Sequence, residues 1–197
     1  PRAPVMGQKA PREDTFHHPI PPHPGGGTSR RRLCLYATEE IDLIRVLFVC
    51  LGNICRSPMA EFIMKKEIEE RGIAASFEVA SAGTSDEEEG NPVYPPARAE
   101  LSRRGIDCSG KRARKISRAD CAHFDYILCM EDWHVRSVLR LCGEKEKGKV
   151  HRLSDYTDRP HDIADPWYTR DFTAAYGDIR AGVTAFLDSL QEKTSHT

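Results

Sequence analysis

Val46-Leu47-Phe48-Val49 runs directly into Cys50-Leu51-Gly52-Asn53-Ile54-Cys55-Arg56-Ser57-Pro58. Four consecutive apolar residues predict a strand buried on both faces, the pattern of a parallel sheet. Met59, Ala60, Ile63, Met64 and Ile68 then recur at helical spacing. Cys50 therefore ends a strand, and a tight loop leads into a helix. Ser57 stands where an N-cap is expected and Pro58 where a first-turn proline is tolerated.

A loop that feeds a helix N-terminus presents backbone N–H groups to an anion. Gly52 allows close approach of the backbone, and Arg56 brings a planar fork of donors matched to phosphate oxygens. Cys50 then lies at the floor of a positive cradle, where a thiolate is favoured. A thiolate beneath a bound phosphate is an in-line nucleophile. A cysteine and an arginine bracketing five residues thus read as a centre for phosphoryl transfer. A lone cysteine at the end of an apolar strand is usually a small core residue. Gly52, Arg56 and the strand–loop–helix setting shift the balance towards chemistry.

Working outward, Phe77 to Ser81 predicts a second strand, and Pro95 or Pro96 opens a helix that stops at Gly105. A short helix from about Ser117 introduces a third strand, Asp125 to Met130. Asp132 to Leu141 is helical, with Val135, Val138 and Leu139 on one face. Lys149 to Leu153 predicts a fourth strand, and Asp155 to Arg170 a long polar loop. Phe172, Tyr176, Ile179, Val183, Phe186, Leu187 and Leu190 form the stripe of a last helix. Alternating strands and helices predict an α/β fold of three layers, a four-stranded parallel sheet with helices on both faces. The loop at the end of the first strand then lies at the carboxyl edge of the sheet, where ligands bind.

The chain has 197 residues and a net charge of −1, enough for one domain and no global attraction to nucleic acid or anionic membrane. No apolar run is long enough to span a bilayer. Seven cysteines are an odd number, and no secretory leader is legible. Reduced thiols and a cytoplasmic setting are the expectation. The cysteine spacing does not match a zinc site, so no metal and no other cofactor is expected.

The stretch Val46 to Glu61 strongly resembles the low-molecular-weight protein tyrosine phosphatases. The resemblance continues through Ser81-Ala82-Gly83-Thr84, Arg104-Gly105-Ile106-Asp107, Phe124 to Met130 and Asp165-Pro166, and covers about residues 45 to 190. It implies a flavodoxin-like fold and hydrolysis of phosphotyrosine in proteins or peptides through a phosphocysteine, with inorganic phosphate as product. Cys50 would be the nucleophile, residues Cys50 to Ser57 the phosphate loop, and Arg56 its charged clamp. Asp165 would be the general acid, in preference to Asp155, Asp158, Asp162 or His161. Ile54, Trp167 and Tyr168 would wall the substrate ring. Ser57 would hydrogen-bond the Cys50 sulfur, and Cys55 would be its reversible disulfide partner.

Two departures from the family stand out. The histidine that braces the loop asparagine has no counterpart in Ser109 to Lys115, so the support of Asn53 is open. The family's Met-Asp-x-x-Asn is here Met130-Glu131-Asp132-Trp133-His134, and either acid could orient Arg56. Two relatives of the same fold compete for the function. An arsenate reductase needs two further cysteines close together, and Cys121, Cys129 and Cys142 are spread across a strand and a helix. A phosphoarginine phosphatase carries threonine where this chain has Ile54, whose apolar wall suits an aromatic ring.

Residues 1 to 43 are rich in proline and glycine and show no apolar periodicity, which predicts a flexible N-terminal extension. His17, His18 and His23, and Arg30 to Arg32, read as solvated tail residues. Residues 44 to 193 form the expected catalytic domain, and 194 to 197 a short tail.

Overall fold

Strand β1 (Ile44–Cys50) is the centre of the sheet, because its residues are apolar on both faces. Val46 and Phe48 face one core, Leu47 and Val49 the other. The computed structural model describes the backbone of residues 43–195 and side chains of residues 43–192. The expected extension, with its histidines and arginines, and the end of the expected tail lie outside the described residues.

Helix α1 (Arg56–Glu70) returns the chain to β2 (Phe77–Gly83), which pairs with β1 in parallel register, Leu47 opposite Ala80. Helices α2 (Pro95–Ser102) and α3 (Arg118–His123) precede β3 (Tyr126–Cys129), which takes the other side of β1. Ser117 caps α3, accepting from the Asp120 amide while the Asp120 carboxylate accepts from the Ser117 amide. Helix α4 (Asp132–Cys142) leads to β4 (Val150–Arg152), and a four-residue α5 (Pro166–Thr169) precedes α6 (Phe172–Ser195). The four parallel strands run in the order β2-β1-β3-β4. Met59, Ile63 and Met64 of α1, Leu101 of α2, and Ile179, Val183 and Phe186 of α6 cover one face. Phe124, Val138 and Ile116 close the other. The strand order changes direction across β1, so the loop after Cys50 occupies the expected crevice.

Three expectations need correction. Ser57 is not the cap of α1; the helix starts at Arg56 behind Cys55, with no side-chain cap. The Ser57 hydroxyl is engaged by Cys50 and its neighbours instead. The segment 155–170 is not all loop, since Asp165 caps α5 by accepting from the Trp167 amide at 3.0 Å. The cysteines are not all reduced: Cys121 and Cys142 form a disulfide, with Cα atoms 5.5 Å apart. Sequence separation concealed that pair, because α3 and α4 pack together on the same face of the sheet.

A bridge closing a loop of separation 21 constrains the unfolded chain by about 3 kcal/mol. Cys121→Ser is therefore expected to lose about that much stability in urea unfolding under non-reducing conditions. The difference from the parent protein should vanish once a strong thiol reductant is present.

Candidate active site

The loop from Cys50 to Cys55 is tied down through its carbonyls. Those of Cys50, Leu51 and Ile54 accept from the amides of Thr84, Ser85 and Tyr94 at 2.8 to 3.0 Å. The amides of Gly52, Asn53, Ile54 and Cys55 donate to no acceptor among the described residues. Buried backbone donors are normally paired, so this set is suited to an anionic ligand. Gly83 makes the arrangement possible: a Cβ there would lie 2.6 Å from the Leu51 carbonyl.

Cys50 Sγ lies 3.0 Å from Ser57 Oγ. Ser57 accepts from Asn53 Nδ2 at 2.8 Å, leaving its single proton for the sulfur or for the Ala82 carbonyl at 3.2 Å. Asn53 occupies the left-handed region, with φ of 57°, a conformation that asparagine tolerates better than most residues. Its own side chain holds it there. Nδ2 also donates to Ser81 Oγ at 2.8 Å, and Oδ1 accepts from the Arg114 amide at 3.1 Å.

Ser81 passes the support onward, donating to Glu61 Oε2 at 2.6 Å, where Lys111 Nζ sits at 2.7 Å. This Ser81–Glu61–Lys111 chain, with the Arg114 amide, supports Asn53 without a histidine from residues 109 to 115. Burial disfavours the Glu61 carboxylate, but the charge and hydrogen bonds of Lys111, with bonds from Lys65 and Ser81, outweigh it and hold its pKa below the usual range.

Arg56 is only 1% exposed. Nη1 donates to Glu131 Oε1 and to the Ile163 carbonyl, each at 2.8 Å, and Nη2 to Asp165 Oδ2 at 2.6 Å. Burial opposes its charge, yet Cys50, Asp165 and Glu131 together raise its pKa above the ordinary value. Its Nε is buried without a partner. The choice between the two acids falls to Glu131, because Asp132 pairs with Arg136 on the surface. Trp133 Nε1 donates to the second oxygen of Glu131. His134 lies beneath, fully buried, its ring centroid 3.9 Å from that of Trp133. Burial and the nearby Arg56 push its pKa down to about 3, so the imidazole is neutral.

These groups surround a crevice of ≈ 240 Å³. Cys50, Leu51, Ile54 and Arg56 line it, with Asp165, Trp167 and Tyr168 from the late loop. Trp167 is 39% exposed and leans on Tyr94, with centroids 4.8 Å apart. It is a wall of the crevice, not core. Cys55 also lines it, with burial and the Cys50 charge pushing its thiol pKa up. Asp155, Asp158, Asp162 and His161 are not among the lining residues; Asp155 and Asp162 pair with Arg152, and His161 lies near Asp178. A larger groove of ≈ 930 Å³ between α1 and α6 contains none of this machinery.

Sequence reasoning missed Ser81, Glu61, Lys111, Tyr94 and Trp133. Ser81 was legible as part of a resembling segment, but its partners come from three separate elements.

The family model described as low molecular weight phosphotyrosine protein phosphatase matches residues 45–196. The low molecular weight protein-tyrosine-phosphatase YfkJ of Bacillus subtilis is 37% identical over 153 residues, covering 77% of this chain and 98% of the relative. The human low molecular weight phosphotyrosine protein phosphatase is 39% identical over 148 residues, 73% of this chain and 93% of the relative. The crystal structure of YfkJ superposes with a TM-score of 0.74 over 77% of this chain and 96% of that one. Vibrio vulnificus Wzb in complex with benzylphosphonate gives 0.66 at 27% identity, over 75% and 99%.

The depressed Glu61 pKa makes its contribution to stability full above about pH 4.5, the ordinary value, and lost as pH falls through the lower folded value. Glu61→Gln should therefore be less stable than the parent by about 1–3 kcal/mol at pH 7, the cost of disturbing a buried hydrogen-bonded charge. The gap should narrow in strong acid. Denaturant unfolding of both proteins at the two pH values measures it.

Proposed function

The chain belongs to the low molecular weight phosphotyrosine protein phosphatase family, and from that premise we propose how its crevice hydrolyses phosphotyrosine. The observation that carries the proposal is one sulfur, one guanidinium and one carboxylate meeting over a set of unpaired loop amides. Arg56 Nε and the amides of Gly52 to Cys55 hold the non-bridging phosphate oxygens. Cys50 Sγ attacks phosphorus in line with the departing phenolate oxygen, and the P–O bond breaks as the S–P bond forms. Asp165 gives that oxygen its proton. It then takes a proton from the water that cleaves the phosphocysteine, and inorganic phosphate leaves. Ser57 steadies the sulfur as it arrives and departs.

Asp165 bonds Arg56 Nη2 in the structure, so a bound phosphate competes with it for that donor. Displacement frees the carboxyl for the leaving oxygen. Ile54, Trp167 and Tyr168 provide apolar area for a phenyl ring. Benzylphosphonate binding by the Vibrio relative supports an aryl-type ligand here. Cys55 is the reversible redox partner of Cys50, and residues 44 to 193 are the catalytic domain. A cytoplasmic setting, which keeps Cys50 reduced, is part of this proposal; among the described residues no helix is long and apolar enough to cross a membrane.

A thiol relay of the arsenate reductase type has less support. Cys121 and Cys142 are bonded to each other and do not line the crevice, and Cys129 is fully buried.

Phosphotyrosine, phosphoserine and phosphoarginine peptides assayed side by side, without added metal, test the reading. Release of phosphate from phosphotyrosine alone is expected; equal release from phosphoarginine would overturn the aryl assignment. Cys50→Ser should abolish turnover while retaining phosphate binding. Asp165→Ala should slow aryl phosphate turnover by about 10²–10⁴-fold, and an unchanged rate would move the acid elsewhere.

A further inference from the structure

The crevice has two unlike banks. On one side stand Asp165, Trp167 and Tyr168, the last 75% exposed. Arg170 on that bank is turned back, over the Trp167 ring at 5.7 Å and towards the Tyr94 hydroxyl at 3.4 Å. On the other side, Glu87 and Glu88 from the segment between β2 and α2 line the opening.

This acidic bank is held in place. Glu88 Oε2 accepts from Asn91 Nδ2 at 2.8 Å, and its Cγ would lie 3.1 Å from a Cβ on Gly52. The segment is anchored by the Gly90 amide on the Ala113 carbonyl at 2.8 Å. Asp86 is neutralised by Lys115 at 3.0 Å, but the lining residues Glu87 and Glu88 form no ion pair among the described residues. In the reading proposed above, the phosphate sits against the buried, unpartnered Arg56 Nε and the loop amides. Residues that flank a phosphotyrosine seated there lie at the mouth of the crevice, which Glu87 and Glu88 help to line.

Unpaired carboxylates at the mouth of a dianion site repel the very ligand the floor attracts. The arrangement is productive when the substrate itself brings cations to the rim. We infer that the Glu87 and Glu88 carboxylates at this rim select phosphotyrosine segments flanked by lysine or arginine over those flanked by acidic residues. The inference rests on the phosphotyrosine reading and adds the charge class of the peptide to it. The contacts are exposed, so each is modest and screened by salt.

The test uses two phosphotyrosine peptides that differ only in having Lys or Glu on either side of the phosphotyrosine. With the parent protein at low ionic strength, kcat/KM for the Lys peptide should exceed that for the Glu peptide by about three- to tenfold. The ratio should fall towards one at about 0.5 M salt, where charges more than a few ångströms apart no longer interact. Glu87→Lys should shrink or invert the ratio. Equal kcat/KM at low salt would overturn the inference, as would a preference that Glu87→Lys leaves intact. Turnover of neither peptide would instead remove the phosphotyrosine reading, and this inference with it.

Discussion

Arg56 carries a full charge at 1% exposure, and the placement of distant segments follows from satisfying it. An unpaired buried guanidinium would cost several kcal/mol. Glu131, at the start of α4, and the Ile163 carbonyl and Asp165, in the segment before α5, meet that need. These groups are more than seventy residues from Arg56 in sequence. One buried side chain thus fixes the late loop against the phosphate loop. The carboxylate proposed as the acid is positioned by the cation proposed to bind the phosphate.

A second constraint acts on the backbone. The loop must turn amides towards an anion, which requires Asn53 in a conformation with positive φ. That cost is offset by four hydrogen-bond partners of its side chain and their neighbours: Ser57, Ser81, the Arg114 amide, and Glu61 behind Ser81. The brace reaches α1, β2 and the segment before α3, so the loop's shape is a property of the assembled sheet and not of the local sequence alone. Lys111 closes the chain by supplying the charge that lets Glu61 stay ionised while buried.

What could be read from the sequence divides along the same line. Local signals were sufficient for β1, for the stripe of α6, and for a proline, Pro95 or Pro96, opening α2, because each depends on periodicity or on one residue's backbone preference. The groups proposed to react were singled out from a contiguous loop motif and from the Asp165-Pro166 pair, and the structure brings Cys50, Arg56 and Asp165 to one crevice. As a cap Ser57 misled, because its position suits one; its hydroxyl serves Cys50 seven residues earlier, the contact the resemblance implied. The disulfide and the Ser81–Glu61–Lys111 brace were illegible for one reason. Both depend on which helices and strands end side by side, and no spacing within the chain encodes that.

Glu131 shows how such long-range partners shape chemistry. A glutamate is one methylene longer than the aspartate the family carries, and a longer carboxylate has more rotamers to lose. Here the indole N–H of Trp133 takes one oxygen and Arg56 the other. The neutral His134 ring fills the space beneath, with Nδ1 3.7 Å from the Glu131 carboxylate. A cation there would compete with Arg56 for the same carboxylate. Burial holds the imidazole uncharged, so Glu131 directs its charge to Arg56 alone. Glu131 and His134, which depart from the family's pattern, and Trp133 between them therefore form one consistent set. The longer acid, the indole that orients it and the histidine kept neutral together preserve the direction of a single guanidinium.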